Sequence, residues 1–253
     1  MEKNQDVKNK IRSNREFMKS TFAKERHKSD QQKQLPQPPL TKAPMSNTAI
    51  KLSKEFSSLI KEPDYLKLVQ ERKTHRVYKN ESITIDQLSF LLWTTQGIKE
   101  IRGNNYATVR PVPSAGARHA FETYLTVLNV EGLEKGIYHY LPMEHSLEFI
   151  KSVDELENKI SDSLRGQTFA AKAAVVFFYS AVPYRCEWRF LLESHKLMLL
   201  DAGHVMQNLY LSSGAIGCGA CAMAEFDQEL VDNLLGLDGE NEFIIYISPV
   251  GVI

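Results

Sequence analysis

Residues 71–78 read "ERKTHRVY" and crowd Arg72, Lys73, His75 and Arg76 around the hydroxyl of Thr74. Guanidinium and ammonium groups this close together suit a phosphate, which offers nearly two negative charges and several acceptor oxygens. The competing reading is a solvated helix end, where basic residues complement the macrodipole. On a helical backbone Arg72 and Arg76 would share one face. Two further stretches could meet a ligand. In "VRPVPSAGARHAFE" (109–122), Pro113 and Gly116 bracket the small residues Ser114 and Ala115. A loop this small lets backbone N–H groups approach a planar or anionic ligand, although a plain turn would look the same. In "SGAIGCGACAMAEFD" (213–227), Gly217, Cys218, Gly219 and Ala220 carry no bulk. Such a backbone can run along the edge of a flat ring.

Other chemistries fare worse. Cys218 and Cys221 form a C-x-x-C, but a zinc site needs about four ligands and the one other cysteine is Cys186. Small-residue packing accounts for the pair better than redox or metal use. His195 and His204, nine positions apart, do not face together on a helix. Neither a G-x-S-x-G elbow nor an H-E-x-x-H is present. With no nucleophile–base pair and no metal ligand set in view, an enzyme built on this chain would leave the hard chemistry to a cofactor.

The elements that must position these stretches are mostly legible. "EPDYLKLVQERK" (62–73) starts a short helix near Pro63. "TIDQLSFLLWTTQGI" has Thr84 to cap, Gln87 to complete a capping box and Gly97 to stop the helix. "FETYLTVLNV" (121–130) and "AAVVFFYSA" (173–181) read as strands, and "GIYHY" with "SLEFI" as a hairpin. "VDELENKISDSLRG" and "DQELVDNLLGL" are amphipathic helices, and "NEFIIYISPVGV" is a final strand. One long helix is expected from about Tyr184 to Ser213. Its half "LMLLDAGHVMQNLYL" is apolar nearly all round and should be buried. The irregular alternation predicts an α+β layered fold, not a doubly wound parallel sheet.

The chain has 253 residues, 43% of them hydrophobic and 25% charged, with formal net charge +0. That balance points to neither nucleic acid nor a membrane. The start of the chain has no apolar signal core, and three cysteines suit a reducing compartment, so a cytoplasmic location is expected. Residues 1–45 depart from the balance, with eleven Lys or Arg against five Asp or Glu and the proline-rich "QLPQPPLTKAP". Residues 1–49 are therefore expected to form an extended or disordered basic arm ahead of an ordered domain over residues 50–253. The arm could serve nucleic acid or strap onto a second subunit.

Taken together, "ERKTHRVY", "LLWTTQGI", "VPSAGARHAFETYL", "GLEKGIYHY", "LLDAGHVMQNLYL", "GAIGCGACAMAEFD" and "LLGLDGENEFIIYISPVG" resemble, in order, the nitroreductase-like superfamily of FMN-dependent oxidoreductases. The closer likeness is to its SagB-type dehydrogenase branch, which includes thiazole/oxazole-forming oxidases. The resemblance implies a mixed, mostly antiparallel sheet flanked by helices, with a long buried central helix. It implies a homodimer with FMN at the subunit interface and NAD(P)H as co-substrate. Arg72 and Thr74 would face the FMN phosphate and ribityl chain, with Lys73 nearby and Arg76 at the pyrimidine edge. Pro113, Ser114, Ala115 and Gly116 would line the ring. Gly217, Cys218, Gly219 and Ala220 would offer backbone donors near N5. No metal is implied, and the substrate is a small molecule or a peptide.

One departure bears on the reaction. Azoline-oxidising relatives carry a Lys-Tyr pair just after a tryptophan, thirteen residues before the Asp of the "DAGH" element. Here Trp188 has that spacing from Asp201, but Arg189 and Phe190 follow it. Arginine stays protonated and phenylalanine has no proton to give. A general FMN oxidoreductase is thus expected. The alternatives are an azoline dehydrogenase and a non-catalytic flavin-binding scaffold subunit.

Overall fold

The computed structural model describes residues 2–21 and 27–253. A seven-stranded sheet with only antiparallel ladders forms its centre, in the order β1-β6-β5-β4-β7-β9-β8. The strands are β1 (Ala49–Lys51), β4 (Phe121–Val127), β5 (Gly136–Leu141), β6 (Ser146–Lys151), β7 (Val175–Ala181), β8 (Cys218–Ala220) and β9 (Phe243–Val252); β2 (Glu100–Arg102) and β3 (Ala107–Val109) pair as a separate hairpin. Among the described residues there are seven α-helices: α1 (Glu2–Met18), α2 (Tyr65–Glu71), α3 (Ile85–Gln96), α4 (Leu156–Ser163), α5 (Tyr184–Phe190), α6 (Ser194–Ala215) and α7 (Gln228–Leu235). The layered α+β arrangement is the one expected.

Strand alternation explains the layers. In β4 and β7, Leu125, Val127, Phe177 and Tyr179 join one core with the α3 residues Leu88, Leu91 and Leu92 and the α6 residues Met198, Val205 and Leu209. Their neighbours Tyr124, Val176 and Phe178 point the other way, into a second core with Leu156 and Ile160 of α4 and Val231 and Leu235 of α7. Both strands are buried along their whole length, and β7 is accordingly apolar on both faces. Thr84 caps α3 through the full capping box with Gln87.

The second face is not apolar throughout. Glu122, His139, Glu148 and Ser180 continue it and are buried. His139 bridges Glu148 at 2.7 Å and Glu122 at 3.1 Å, and Arg185 Nη2 pairs with Glu122 at 2.5 Å. Lys42 Nζ reaches Glu242 at 2.6 Å, while the Lys42 backbone N–H donates to Glu122 at 2.6 Å. The N–H groups of Met45 and Ser46 both donate to Glu148 at 2.7 Å. Three carboxylates thus meet three cations, and together they hold residues 42–46 over the sheet.

Three expectations need correcting. The arm is not simply extended: α1 spans Glu2–Met18, supported by a Lys10–Asp6 pair one turn apart, and residues 42–46 are fixed by the buried network. The single long helix is broken at Leu191, whose φ of 49° and ψ of −123° separate α5 from α6. The apolar half of α6 is not buried all round, since Leu199 and Leu200 are 57% and 55% exposed.

The buried network makes stability depend on pH. Burial alone pushes the His139 pKa down, but Glu122 and Glu148 outweigh it and hold the pKa above its ordinary value. Burial likewise pushes Glu122 up, but Arg185 and His139 bring it to about 2. The His139 contribution is therefore complete below about pH 6.5 and is lost as pH rises through the folded pKa. The Glu122 contribution is present above about pH 4.5 and is lost as pH falls. Urea unfolding of His139→Gln should show a loss of roughly 3–5 kcal/mol near neutral pH, the cost of breaking a buried pair. The alkaline decline attributable to His139 should disappear in that variant.

Candidate functional site

The basic stretch does not continue α2. Asp64 caps that helix by accepting from Leu66 N–H at 2.8 Å and Lys67 N–H at 3.2 Å, and the helix ends at Glu71 with Arg72 as its C-cap. Arg72 and Arg76 therefore do not share a helical face. The chain instead runs extended along the sheet margin. His75 N–H donates to Ala220 O at 3.0 Å and Lys79 N–H to Val252 O at 2.9 Å.

Beside this segment lies β8, paired antiparallel with β9 so that Gly219 faces Gly251. The approach is too close for a side chain. A Cβ on Gly219 would come within 2.6 Å of both His75 Cγ and Ile253 Cγ2. Between the two segments opens a cavity of about 600 Å³, lined by Arg72, Lys73, His75, Cys218, Gly219 and Ala220, with Tyr210 of α6 on its wall. Tyr210 organises this wall. Its ring lies 5.3 Å from the Arg72 guanidinium, and its hydroxyl is 3.1 Å from Thr74 Oγ1 and accepts from Ala222 N–H at 2.8 Å.

Arg72 and Lys73 share the cavity lining with Glu62 and Glu71. No ion pair is formed by Arg72, Lys73 or Arg76 among the described residues. Glu62 at the rim is engaged by Lys67. Burial, then Lys73 and Arg72, push the His75 pKa below its ordinary value. The cysteines do not act as a pair. Cys218 belongs to one core and Cys221 to the other, across the sheet, and all three cysteines are free. Burial pushes the Cys218 thiol up to about 11 and raises that of Cys221. Among the described residues no group of three or more His, Cys, Asp or Glu side chains could hold a metal ion. No helix among them is long and apolar enough to cross a membrane.

The other expected stretch lies elsewhere in the same chain. Ser114 leads into a tight turn at Ala115–Ala117 with Gly116 at φ 56° and Ala117 at φ 53°. Asp201 of α6 holds that turn, accepting from Ala115 N–H at 3.0 and 3.2 Å. Ser114 Oγ accepts from His119 N–H at 2.9 Å. The structure thus joins Arg72 and Lys73 to Cys218, Gly219 and Ala220 on one cavity, with Thr74 behind its wall against Tyr210. It leaves Arg76 beside Cys221, Gly217 beside Lys61, and Pro113–Gly116 outside the cavity. Tyr210 and Asp201 were missed from the sequence. A lone carboxylate and a lone phenol in an apolar helix were the signals available.

The nitroreductase family model matches residues 69–252, and the chain belongs to that family. The Methanocaldococcus jannaschii protein named "Putative nitroreductase MJ1384" is 29% identical over 181 residues, covering 72% of this chain and 87% of that one. The trifolitoxin-processing protein TfxB of Rhizobium leguminosarum bv. trifolii is 27% identical over 143 residues, covering 53% of this chain but 38% of TfxB. Among solved structures, a chain of the E. coli microcin synthetase McbBCD complex superposes with a TM-score of 0.60 at 19% identity, covering 92% of this chain and 86% of that one. The resemblance drawn from the seven sequence stretches holds, and so does the fold it implied.

Gly219 offers a direct check of the cavity wall. Gly219→Ala must displace His75 or Ile253, and overpacking of this kind costs about 1–3 kcal/mol. Chemical denaturation should register that loss, whereas alanine at the open Gly203, where a Cβ would meet nothing within 4 Å, should be tolerated.

Proposed function

We propose that the protein is an FMN-dependent oxidoreductase, with residues 50–253 as its flavin-binding domain. The observation that carries this reading is the meeting of Arg72 and Lys73, neither held in an ion pair among the described residues, with the side-chain-free backbone at Gly219 on one cavity. The residues present fit FMN. A mononucleotide phosphate needs several cationic donors, and a flat ring needs a wall with no Cβ in the way. Arg72, Lys73 and Thr74 would hold the phosphate and ribityl chain, and Arg76 the pyrimidine edge. The backbone of Gly217–Ala220 would approach the N5 edge. Bound FMN supplies hydride transfer through N5, with NAD(P)H as donor and a second substrate as acceptor in ping-pong order.

The Pro113–Gly116 turn would complete the site from a second copy of the chain. The exposed Leu199 and Leu200 on α6 are the kind of surface that such a homodimer covers. Arg76 beside the ring would favour the reduced, negatively charged form and raise the potential.

A second reading calls for a test because TfxB is named for trifolitoxin processing and the McbBCD complex as a microcin synthetase. An azoline dehydrogenase must remove a carbon-bound proton, and a positioned base is commonly worth about 10²–10⁴-fold in rate. Neither Arg189 nor Phe190 can take that proton. Reduction of a quinone or nitro compound asks less, because solvent can supply protons.

The purified protein should be yellow, bind FMN in preference to FAD, and lose its flavin absorption on anaerobic addition of NADH or NADPH. Arg72→Ala should weaken FMN binding by about 1.5–3 kcal/mol, the range for a hydrogen bond to a charged group. Oxidation of azoline peptides should be negligible beside quinone or nitro reduction. A protein that takes up no FMN on titration would overturn the reading, and efficient azoline oxidation would favour the second one.

A further inference from the structure

The turn at Ser114–Ala117 has cationic neighbours that flavin binding leaves unused. A Cβ on Gly116 would lie 2.8 Å from Phe190 Cζ and 3.0 Å from Arg189 Nε, so Arg189 runs along the glycine face of the turn. Its Nη1 donates to the Tyr106 hydroxyl at 3.0 Å, an oxygen that also accepts from Gln31 Nε2 at 2.7 Å. Its guanidinium carbon lies 5.3 Å from the Phe190 ring centroid. The side chain is held in place, yet only by neutral partners.

A second guanidinium stands behind it. Arg118 is 3% exposed and donates from Nε to Gly116 O at 3.1 Å and from Nη2 to Tyr106 O at 2.8 Å. It lies over the rings of Tyr106 and Trp188, at 4.8 and 5.6 Å. Burial, together with the charge of Arg189, pushes its pKa down. Neither arginine has a carboxylate partner among the described residues. The neighbouring acids are committed elsewhere: Glu187 to His195, and Asp201 to Ala115 N–H.

Two like charges held side by side without a counter-ion cost stability unless an anion visits them. A guanidinium fixed through one edge keeps its other N–H groups for a carboxylate or phosphate oxygen. We propose that Arg189, backed by Arg118, is a specificity-determining oxyanion site: the molecule exchanging electrons at this centre carries a carboxylate or phosphate that Arg189 engages. The inference rests on the flavin reading above, because that reading places the Ser114–Gly116 turn against the ring. The oxyanion has two sources, a carboxylate on the acceptor or the 2′-phosphate of NADPH.

The test uses the full chain loaded with FMN. One arm compares KM for 4-nitrobenzoate and neutral 4-nitrobenzamide, with calorimetric binding of both to the oxidised protein. The other arm compares KM for NADPH and NADH. The wild type should prefer the anionic member of one pair. Arg189→Gln should reduce that preference by about tenfold to a hundredfold, the range for a charge-assisted hydrogen bond. Arg189→Lys should restore part of it. A shift confined to the nitro pair assigns the site to an acceptor carboxylate, and one confined to the nicotinamide pair assigns it to the phosphate. A flavoprotein that binds and turns over both members of both pairs equally, with no change in Arg189→Gln, overturns the inference and leaves the flavin reading standing. Failure to bind FMN at all removes both.

Discussion

The hydrogen bond from His75 N–H to the Ala220 carbonyl stitches an extended basic segment to the margin of the sheet, and the site depends on it. Together with the Lys79–Val252 bond four residues on, it fixes the direction of the chain leaving α2. Arg72 and Lys73 thereby line the cavity opposite the backbone of β8, with their side chains still open to solvent. The bond can form only because Gly219 has no Cβ to hold the two segments apart. A helix end with the same composition would have scattered those charges around its circumference.

Helix α6 then relates this cavity to the second ligand-facing feature. Tyr210 forms the cavity wall and Asp201 grips the Ser114–Ala117 turn, nine positions earlier on the same helix. At 1.5 Å per residue, about 13 Å of helix separates the two anchors. Under the proposed flavin reading, one protomer would carry two half-sites that it does not itself bring together. The exposed leucines between Glu193 and Asp201 supply an apolar face on which a second protomer would set its turn over the cavity. A division of this kind would account for Leu199 and Leu200 being exposed on an otherwise apolar helix.

Much of this was legible in the sequence where local chemistry and tertiary demand agree. The Thr84–Gln87 capping box, the doubly buried strands β4 and β7, and the Asp227 cap and left-handed Gly236 bounding α7 need no long-range information. The break at Leu191 was hidden because "RFLLES" contains neither Gly nor Pro to mark a positive φ. Strand β8 was hidden because "CGA" has no strand composition and exists through its pairing with β9. The arm misled in the opposite sense. Its low apolar content argued against order, but Lys42 and two backbone N–H groups are fixed by buried carboxylates that no local pattern reveals. For the site, residue types announced the basic and glycine stretches, while Tyr210 and Asp201 act through contacts 136 and 86 residues away in sequence.

The central claim is that the flavin site is complete only when two chains meet. Sedimentation velocity followed at the flavin absorption band, across a dilution series, tests it directly. The account predicts flavin absorbance moving with a dimer, at one FMN per chain, and free flavin appearing as the dimer dissociates. Flavin that stays with the monomer at full stoichiometry would contradict it.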